Sequence, residues 1–229
     1  MADHLPADVW ASGAAYEPYV GRWSRLVAQE FLAWLAVPPG GRWLDVGCGT
    51  GALTRAILDH AAPAVVQGVD PSAAYIAYAR AQAGDPRVRF VTGDARALPI
   101  TDGAFDAVVS GLMLNFVPQP EQAAGDLARV VRPGGIVAAY VWDYAGEMQL
   151  MRHFWDAAVT LDPAARDLDE GRRFPLCQPE PLAALFRTAG LRNIETRAIE
   201  VPTRFRDFDD YWSPFLGGQG PAPGYVMSL

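Results

Sequence analysis

Three aspartates and a glycine-rich stretch are the residues of this sequence from which a small-molecule site could be built. The stretch "WLDVGCGTGAL" contains Asp45 and then Gly47, Gly49 and Gly51. Glycine permits positive φ and, lacking Cβ, lets another molecule approach the backbone closely. At the start of a helix such a turn favours a negatively charged or strongly hydrogen-bonding group. Asp45 beside it would repel a pyrophosphate and attract an ammonium group, so the pattern predicts a ligand with a positive amine.

The spacing also separates this turn from a dinucleotide-binding one. The pyrophosphate-binding pattern is G-x-G-x-x-G, whereas here G-x-G-x-G is followed by Ala52 and Leu53. Asp70, within "GVDPS", ends the second predicted strand 23 residues after Gly47, where an acid can accept hydrogen bonds from both ribose hydroxyls. Asp94 in "TGDARALP" could accept from the exocyclic amine of adenine. The three acids together predict a pocket for an amine, a ribose and a base.

The elements that must position these acids alternate between strand and helix. An amphipathic helix is predicted at 22–36, and further helices lie between the first three strands and before the fifth. Strand-like runs occupy 42–46, 64–70, 87–94, 105–112 and 135–142. This alternation predicts an α/β fold with a doubly wound, mainly parallel sheet covered by helices on both faces. The carboxyl ends of its strands, and therefore the acids, would share one edge.

Towards the C-terminus the alternation of strand and helix becomes less regular. Helices are predicted at 147–160, up to residue 189 and at 206–216, a strand at 193–201, and loops at 162–181 and in "GGQGPAPG". The first loop is long, which favours a lid or binding segment.

Composition limits the function classes. With 229 residues, of which 51% are hydrophobic, the chain can form one domain: N-terminal lid helices at 1–37, a core at 38–201 and a cap helix with a tail at 202–229. A net charge of −7 argues against a nucleic-acid partner. Two cysteines are too few for a disulfide framework or a zinc site, which suits the cytoplasm. The N-terminus lacks the basic region of a signal peptide, and the longest apolar run, 107–118, is too short for a membrane span.

Taken together, the motifs resemble those of class I S-adenosylmethionine-dependent methyltransferases, especially the branch with ubiquinone and menaquinone biosynthesis C-methyltransferases. The resemblance covers roughly residues 16–201. It is carried by "LDVGCGTG", by "VDPS" after the second strand, by "GDARALP", by "FDAVVSGLMLNFV" and by "RPGG" before the fifth strand. It implies a Rossmann-like fold, S-adenosylmethionine as the cofactor and a small-molecule methyl acceptor.

The resemblance also implies a role for each matching residue. The turn of Gly47, Cys48, Gly49 and Gly51 would hold the methionine portion, with Asp45 near the amine. Asp70 would hold the ribose, Pro71 would lie against the adenine, and Asp94 with the Ala95 amide would read the base edge. Ser110 and Leu112 would line the place where sulfonium and acceptor meet. The stretch "YEPYVGRWSR" resembles the family's lid helix, from which Arg22 could reach the cofactor's carboxylate.

The implied reaction is methyl transfer to an oxygen, nitrogen or carbon nucleophile. Because the cofactor carries the electrophile, the protein needs a base only if the acceptor must lose a proton. His153 is the candidate base, with Tyr140 and Asp143 as rivals and a helix-surface histidine as the alternative. The aromatic residues of the second half favour an apolar or aromatic acceptor, or a well-packed cap. Candidate substrate contacts are Phe116, Phe154, Trp155, Phe174, Tyr211, Trp212 and Phe215.

Two other function classes stay open. A nicotinamide-dependent oxidoreductase would share the fold but should carry a third glycine and lack Asp45. A non-catalytic cofactor-binding protein would share every motif above. The resemblance further implies seven strands, the last one antiparallel between the fifth and sixth. Since only "YVMSL" remains for that strand, we expect it to be missing, or supplied by the second subunit of a homodimer.

Overall fold

The computed structural model describes residues 17–218 and 220–229. They form two compact units. The sheet unit consists of Ser24–Val141 and Pro179–Glu200, and the aromatic unit consists of the described residues of 17–23, 142–178 and 201–229. The single-domain organisation stays a prediction. Tyr16, the first residue of the expected lid stretch, lies outside the described residues.

The sheet unit is built around five parallel strands. In spatial order they run β3, β2, β1, β4, β5. The order reverses between β1 and β4, which is where an open α/β sheet leaves a crevice at the carboxyl ends of its strands. The strands are β1 Arg42–Val46, β2 Val65–Asp70, β3 Val88–Thr92, β4 Phe105–Gly111 and β5 Val131–Tyr140. The predicted Rossmann-like, doubly wound fold is therefore confirmed.

Helices connect these strands and continue into the aromatic unit. In the sheet unit, the side chains of Phe31, Trp43 and Ile57 are buried in an apolar cluster, which explains why β1 after Arg42 is an apolar run interrupted by Asp45. The helices are α1 Arg22–Leu35, α2 Ala52–His60, α3 Ala73–Gln82, α4 Pro120–Val130, α5 Gln149–Leu161, α6 Glu170–Arg173, α7 Pro179–Thr188, α8 Phe208–Trp212 and α9 Pro221–Val226. A π-helical turn, Glu17–Gly21, precedes α1.

Strand β5 begins four residues earlier than its predicted start at residue 135. Val131 already pairs with Phe105, and the register between β4 and β5 then shifts before Ala107 pairs with Ile136. The "RPGG" stretch is therefore an irregularity inside the strand. Gly135 is required there, because a Cβ at this position would lie 2.7 Å from the Asp106 carbonyl oxygen.

The predicted sixth strand at 193–201 is wrong. Among the described residues this segment pairs with no strand, and most of its side chains are exposed. An isolated extended segment is not a strand, because the ladder hydrogen bonds come from a neighbour. The other segment considered for strand pairing, Tyr225–Leu229, lies at the end of α9 and in the turn after it. Neither expected position beyond β5 is thus occupied by a strand of the described chain.

The predicted C-terminal loop is also wrong, because "PAPGYV" forms α9. Pro221 and Pro223 fall in the first turn of the helix, where backbone N–H groups have no intrahelical acceptor, so proline costs little there. The predicted helix at 206–216 is shorter than expected. It consists of α8, followed by a 3₁₀ turn, Ser213–Gly217, with Pro214 near its start.

The segment 162–181 is not the long loop that we predicted. It forms 3₁₀ turns at Pro163–Leu168 and Pro175–Cys177, with α6 between them and α7 at its end. Asp162 caps the first of these turns and Asp169 caps α6, because their carboxylates accept hydrogen bonds from the amides of Ala164 and Gly171, as helix-capping residues do. In the part of the chain that is described, no helix is both long and apolar enough to cross a membrane.

Candidate functional site

The glycine turn after β1 is held by the neighbouring strand. The amides of Gly47 and Cys48 both donate to the Val69 carbonyl, at 2.7 and 3.0 Å. Gly47, Gly49 and Gly51 have φ of +74°, +52° and +89°, values that L side chains rarely adopt. A Cβ at Gly49 would have no neighbour within 4 Å. The backbone at Gly49 therefore presents an open face that a ligand can approach.

Asp45 brings a fully buried carboxyl group to this turn. Its Oδ2 accepts a 2.7 Å hydrogen bond from the Thr54 hydroxyl of α2, while Oδ1 has no partner among the described residues. Burial raises the pKa of Asp45 to about 7. A buried acceptor without a partner costs about 1–3 kcal/mol. A bound ammonium group would remove that cost, in agreement with the predicted role.

Asp70 joins the end of β2 to the glycine turn. Its Oδ2 accepts from the Gly49 amide at 2.9 Å and its Oδ1 accepts from the Ser72 amide at 2.8 Å. Ser72 in turn caps α3 by accepting from the Tyr75 amide. Each carboxylate oxygen can accept further hydrogen bonds, so the group can hold a ribose diol while it also anchors the turn. Pro71, next to it, is exposed, as a residue that packs against a ligand base can be.

Asp94 lies after β3, close in sequence to a buried Ala95. Its carboxylate pairs with the Arg96 guanidinium at 2.6 Å, and hydrogen bonds from Arg96 hold the pKa of Asp94 at about 2. The acid is therefore ionised throughout the neutral range. In Cys48, by contrast, burial raises the pKa of the thiol, and the side chain packs in an apolar cluster with Ile76, Ala79 and Phe90.

The end of β4 contributes two predicted residues. Ser110 is buried and its hydroxyl has no hydrogen-bond partner among the described residues. Leu112 adopts φ +58°, a strained conformation for a side chain other than glycine, and its amide donates to the Tyr140 carbonyl at 2.9 Å. The strain redirects the chain immediately after the strand.

Sequence reasoning missed two residues of the same segment. The Met113 side chain packs against Gly47 so closely that a Cβ on Gly47 would lie 2.4 Å from Met113 Cγ. The Asn115 amide nitrogen is buried without a partner among the described residues. Asn115 could have been noticed as a polar residue within the apolar stretch "GLMLNFV". No sequence signal marks Met113, because its contact with Gly47 depends on the pairing of β1 with β4.

The remaining two predicted residues belong to the aromatic unit. The Arg22 guanidinium pairs with Asp210 at 3.1 Å and lies 4.5 Å from the Trp23 ring centroid and 4.8 Å from that of Phe205. The described structure thus gives Arg22 a carboxylate partner of its own. His153 is exposed on α5. Their predicted roles stay predictions.

The residues present fit the implied cofactor. The sheet unit brings the glycine turn, Asp45, Asp70, Pro71, Asp94, Ala95, Ser110 and Leu112 to the carboxyl ends of β1 to β4. Two buried polar atoms, Asp45 Oδ1 and Ser110 Oγ, have no partner in the described chain. Gly49 leaves an open backbone face in the turn after β1. A molecule with an amine, a ribose and a base can satisfy these groups.

Comparisons with known proteins point to methyltransferases. A family model described as a methyltransferase domain matches residues 44–139. A 2-methyl-6-phytyl-1,4-hydroquinone methyltransferase from Synechocystis is 31% identical over 187 residues, 80% of this chain and 57% of that protein. A demethylmenaquinone methyltransferase from Thermus thermophilus is 43% identical over 96 residues, 41% of this chain and 44% of that protein. The chain thus spans about half the length of the curated relatives it matches.

A solved methyltransferase structure is similar to this chain in fold. It is the complex between the Haloferax volcanii Trm112 methyltransferase activator and a putative methyltransferase, with a TM-score of 0.59, 25% identity and coverage of 83% of both chains. Residues 44–139 thus match a methyltransferase domain, and the chain has the Rossmann-like fold of class I S-adenosylmethionine-dependent methyltransferases.

Proposed function

We propose that the protein transfers the methyl group of S-adenosylmethionine to an oxygen, nitrogen or carbon nucleophile of a small, apolar or aromatic molecule. The observation that carries the proposal is the linkage of Asp70 to the Gly49 amide beside an Asp45 carboxyl that keeps one oxygen unpartnered. This arrangement offers acceptors for a ribose diol and an ammonium group. Asp45 beside the turn would repel a pyrophosphate, and the turn lacks the G-x-G-x-x-G spacing, which argues against a nicotinamide cofactor.

The chain's own residues would bind the cofactor and the acceptor and align them for methyl transfer. When bound, S-adenosylmethionine supplies an electrophilic methyl group. Asp45 would hold the amine, Asp70 the ribose and Asp94 the base, while the segment after β4, with Ser110 and Leu112, would face the acceptor. Alignment of two reactants can lower a barrier by ~7–11 kcal/mol, so a protein nucleophile is not required.

The proposed acceptor class rests on the relatives and on the aromatic unit. Two relatives are named for a phytyl hydroquinone and for demethylmenaquinone, which supports an apolar aromatic acceptor here. Within the aromatic unit, the rings of Phe154 and Phe215 stack at 4.7 Å, and Trp212 stacks on Phe215 at 5.7 Å. His153 remains our candidate base for an acceptor that must lose a proton. Its exposure predicts that it acts only when an acceptor covers it, since an exposed histidine is not oriented.

We also propose a cytoplasmic location and a homodimer as the assembly. Cys48 and Cys177 are both free and buried, which supports a reducing compartment. The unpaired outer edge of β5 in the described sheet supports a second subunit.

Two measurements test the proposal. Calorimetry should show binding of S-adenosylhomocysteine and none of NAD. Release of S-adenosylhomocysteine from S-adenosylmethionine should then require an added hydroquinone or naphthoquinol. Binding without turnover over a panel of phenolic, amine and carbon acceptors would support the non-catalytic alternative, and preference for NAD would overturn the proposal.

Replacement of Asp70 tests the ribose contact. Each hydrogen bond to a charged acceptor is worth about 1.5–3 kcal/mol, so Asp70→Ala should weaken S-adenosylhomocysteine binding by at least about tenfold. Asp106→Ala is the matched control, because Asp106 also accepts from a backbone amide, that of Arg42, but at the opposite edge of the sheet. Unchanged affinity in a folded Asp70→Ala variant would mean that the ribose is held elsewhere.

A further inference from the structure

The acid after β3 is held by the arginine two residues further along the chain. Asp94 Oδ1 accepts from the Arg96 amide at 2.9 Å and from Arg96 Nε at 3.0 Å. Its Oδ2 accepts from Arg96 Nη2 at 2.6 Å. Two parallel N–H donors fix the plane of a carboxylate as a single donor cannot. The direction of the Asp94 carboxylate is therefore set by Arg96.

The guanidinium itself is anchored at a second point. Arg96 Nη1 donates to Gln119 Oε1 at 3.2 Å, and Gln119 is the residue before α4. Arg96 thus spans from the end of β3 to the start of α4. Its side chain is 35% exposed and that of Asp94 is 44% exposed, and such exposed ion pairs add little to stability. A contribution to folding does not account for this arrangement.

The chemistry of a fixed, ionised carboxylate is selective. A carboxylate only accepts hydrogen bonds, so it favours the 6-amino group of adenine. The 6-oxygen of hypoxanthine is itself an acceptor and would face a negative charge. A site discriminates strongly against such an analogue only where the carboxylate is fixed and cannot rotate away from it.

We infer that Arg96 is a positioning residue, which aims the Asp94 carboxylate at the 6-amino group of the cofactor's base and so gives the site its preference for a 6-aminopurine. The inference rests on the proposed function, because it takes the base of S-adenosylmethionine as the ligand of Asp94. Within that function it assigns a role to Arg96, which acts on the base only through Asp94.

The chain contains a matched control for Arg96. At the amino end of β3, Asp85 accepts from the Arg87 amide at 2.9 Å, from Arg87 Nε at 3.0 Å and from Nη2 at 2.6 Å. The pKa of Asp85 is likewise about 2, because of its hydrogen bonds to Arg87. The two aspartate–arginine pairs are alike in spacing and in hydrogen-bond geometry but lie at opposite ends of β3.

The experiment measures the affinities of S-adenosylhomocysteine and of its 6-oxo analogue, S-inosylhomocysteine, by calorimetry. Arg96→Ala should weaken binding of the first about tenfold, the effect of one hydrogen bond to a charged group, and change binding of the second less than about twofold. The selectivity should therefore fall about tenfold. Arg96→Lys, which keeps the charge but not the fork, should lie between the two. Arg87→Ala should leave both affinities and their ratio unchanged.

Other results overturn the inference. An equal loss for both ligands would mean that Arg96 acts only through its charge, and a gain in affinity would mean that it blocks Asp94. A change in Arg87→Ala as large as that in Arg96→Ala would indicate a merely structural role. If the unaltered protein binds neither ligand, the proposed function fails, and this outcome is distinct from binding without loss of selectivity.

Discussion

At the residue scale, Asp45 is the group whose protonation the fold changes most clearly within the site. The side chain is fully buried, and burial raises its pKa to about 7 from an ordinary value near 3.9 in an unfolded chain. Between these two values the native protein holds a proton that the unfolded chain has released. The part of the free energy of unfolding that comes from protonated Asp45 is fully present below about pH 4 and is lost as the pH rises to about 7.

Substitution of Asp45 should therefore change two pH dependences. The free energy of unfolding of the ligand-free protein should fall by up to about 1.4 kcal/mol per pH unit between pH 4 and 7 for each such group, and Asp45→Asn should remove that contribution. Affinity for S-adenosylhomocysteine should rise as the pH increases towards 8, since the ionised carboxylate attracts the ammonium group. Denaturant titrations and calorimetry at several pH values measure both.

Glu170 supplies the control for this prediction. It is also buried, with its pKa raised to about 7, but it belongs to the aromatic unit. Glu170→Gln should therefore flatten the pH dependence of stability and leave that of ligand affinity as it was. If Asp45→Asn retained the pH dependence of affinity, the amine would not be bound by Asp45.

At the scale of elements, the same Glu170 connects two helices of the aromatic unit. Its carboxylate accepts a hydrogen bond from the Trp155 indole N–H of α5 and another from the Ala222 amide in the first turn of α9. Asp169, the preceding residue, pairs with Arg152 of α5. The Glu170 carboxylate thereby links the C-terminal helix, whose first turn contains two prolines, to α5.

Removal of this carboxylate should release α9. Glu170→Ala leaves the Trp155 and Ala222 N–H groups without an acceptor, and each unsatisfied buried donor costs about 1–3 kcal/mol. We expect faster hydrogen exchange at 221–229 and a loss of stability of about 2–6 kcal/mol from the two donors together, with Glu170→Gln intermediate because it keeps one acceptor. Asp162→Ala is a suitable comparison, since Asp162 accepts a hydrogen bond from the Tyr225 hydroxyl of the same helix. Unchanged exchange in Glu170→Ala would show that ring packing alone retains α9.

At the scale of the whole molecule, the single-domain prediction can be tested by cooperativity. If the two compact units unfold as one, hydrogen exchange in α2 and in α5 should report a single transition. Ligand that binds only the native state stabilises it by about 2.7 kcal/mol at a concentration of 100 Kd. S-adenosylhomocysteine should then shift both probes equally. Two transitions, with only the α2 probe shifted, would show that the units unfold independently.

The sequence by itself determined the sheet and the composition of the site. Parallel strands buried on both faces must be apolar, so the five strands could be read from their apolar runs, and the glycine turn with Asp45, Asp70 and Asp94 could be placed at their ends. The motifs also predicted the methyltransferase domain that matches residues 44–139. These features are local, because a strand, a glycine turn and an acid at a strand end each lie within a few residues of sequence.

The tertiary structure decided what depends on a distant neighbour. The segment 193–201 has strand-like composition but lacks a pairing partner, and "PAPGYV" is helical because its prolines fall in a first turn. Met113 meets Gly47 only because β4 pairs with β1. Asp45 keeps an unpartnered oxygen only because the fold buries it beyond the reach of water. Pairing and burial depend on residues far apart in the chain, so no local pattern could have supplied them.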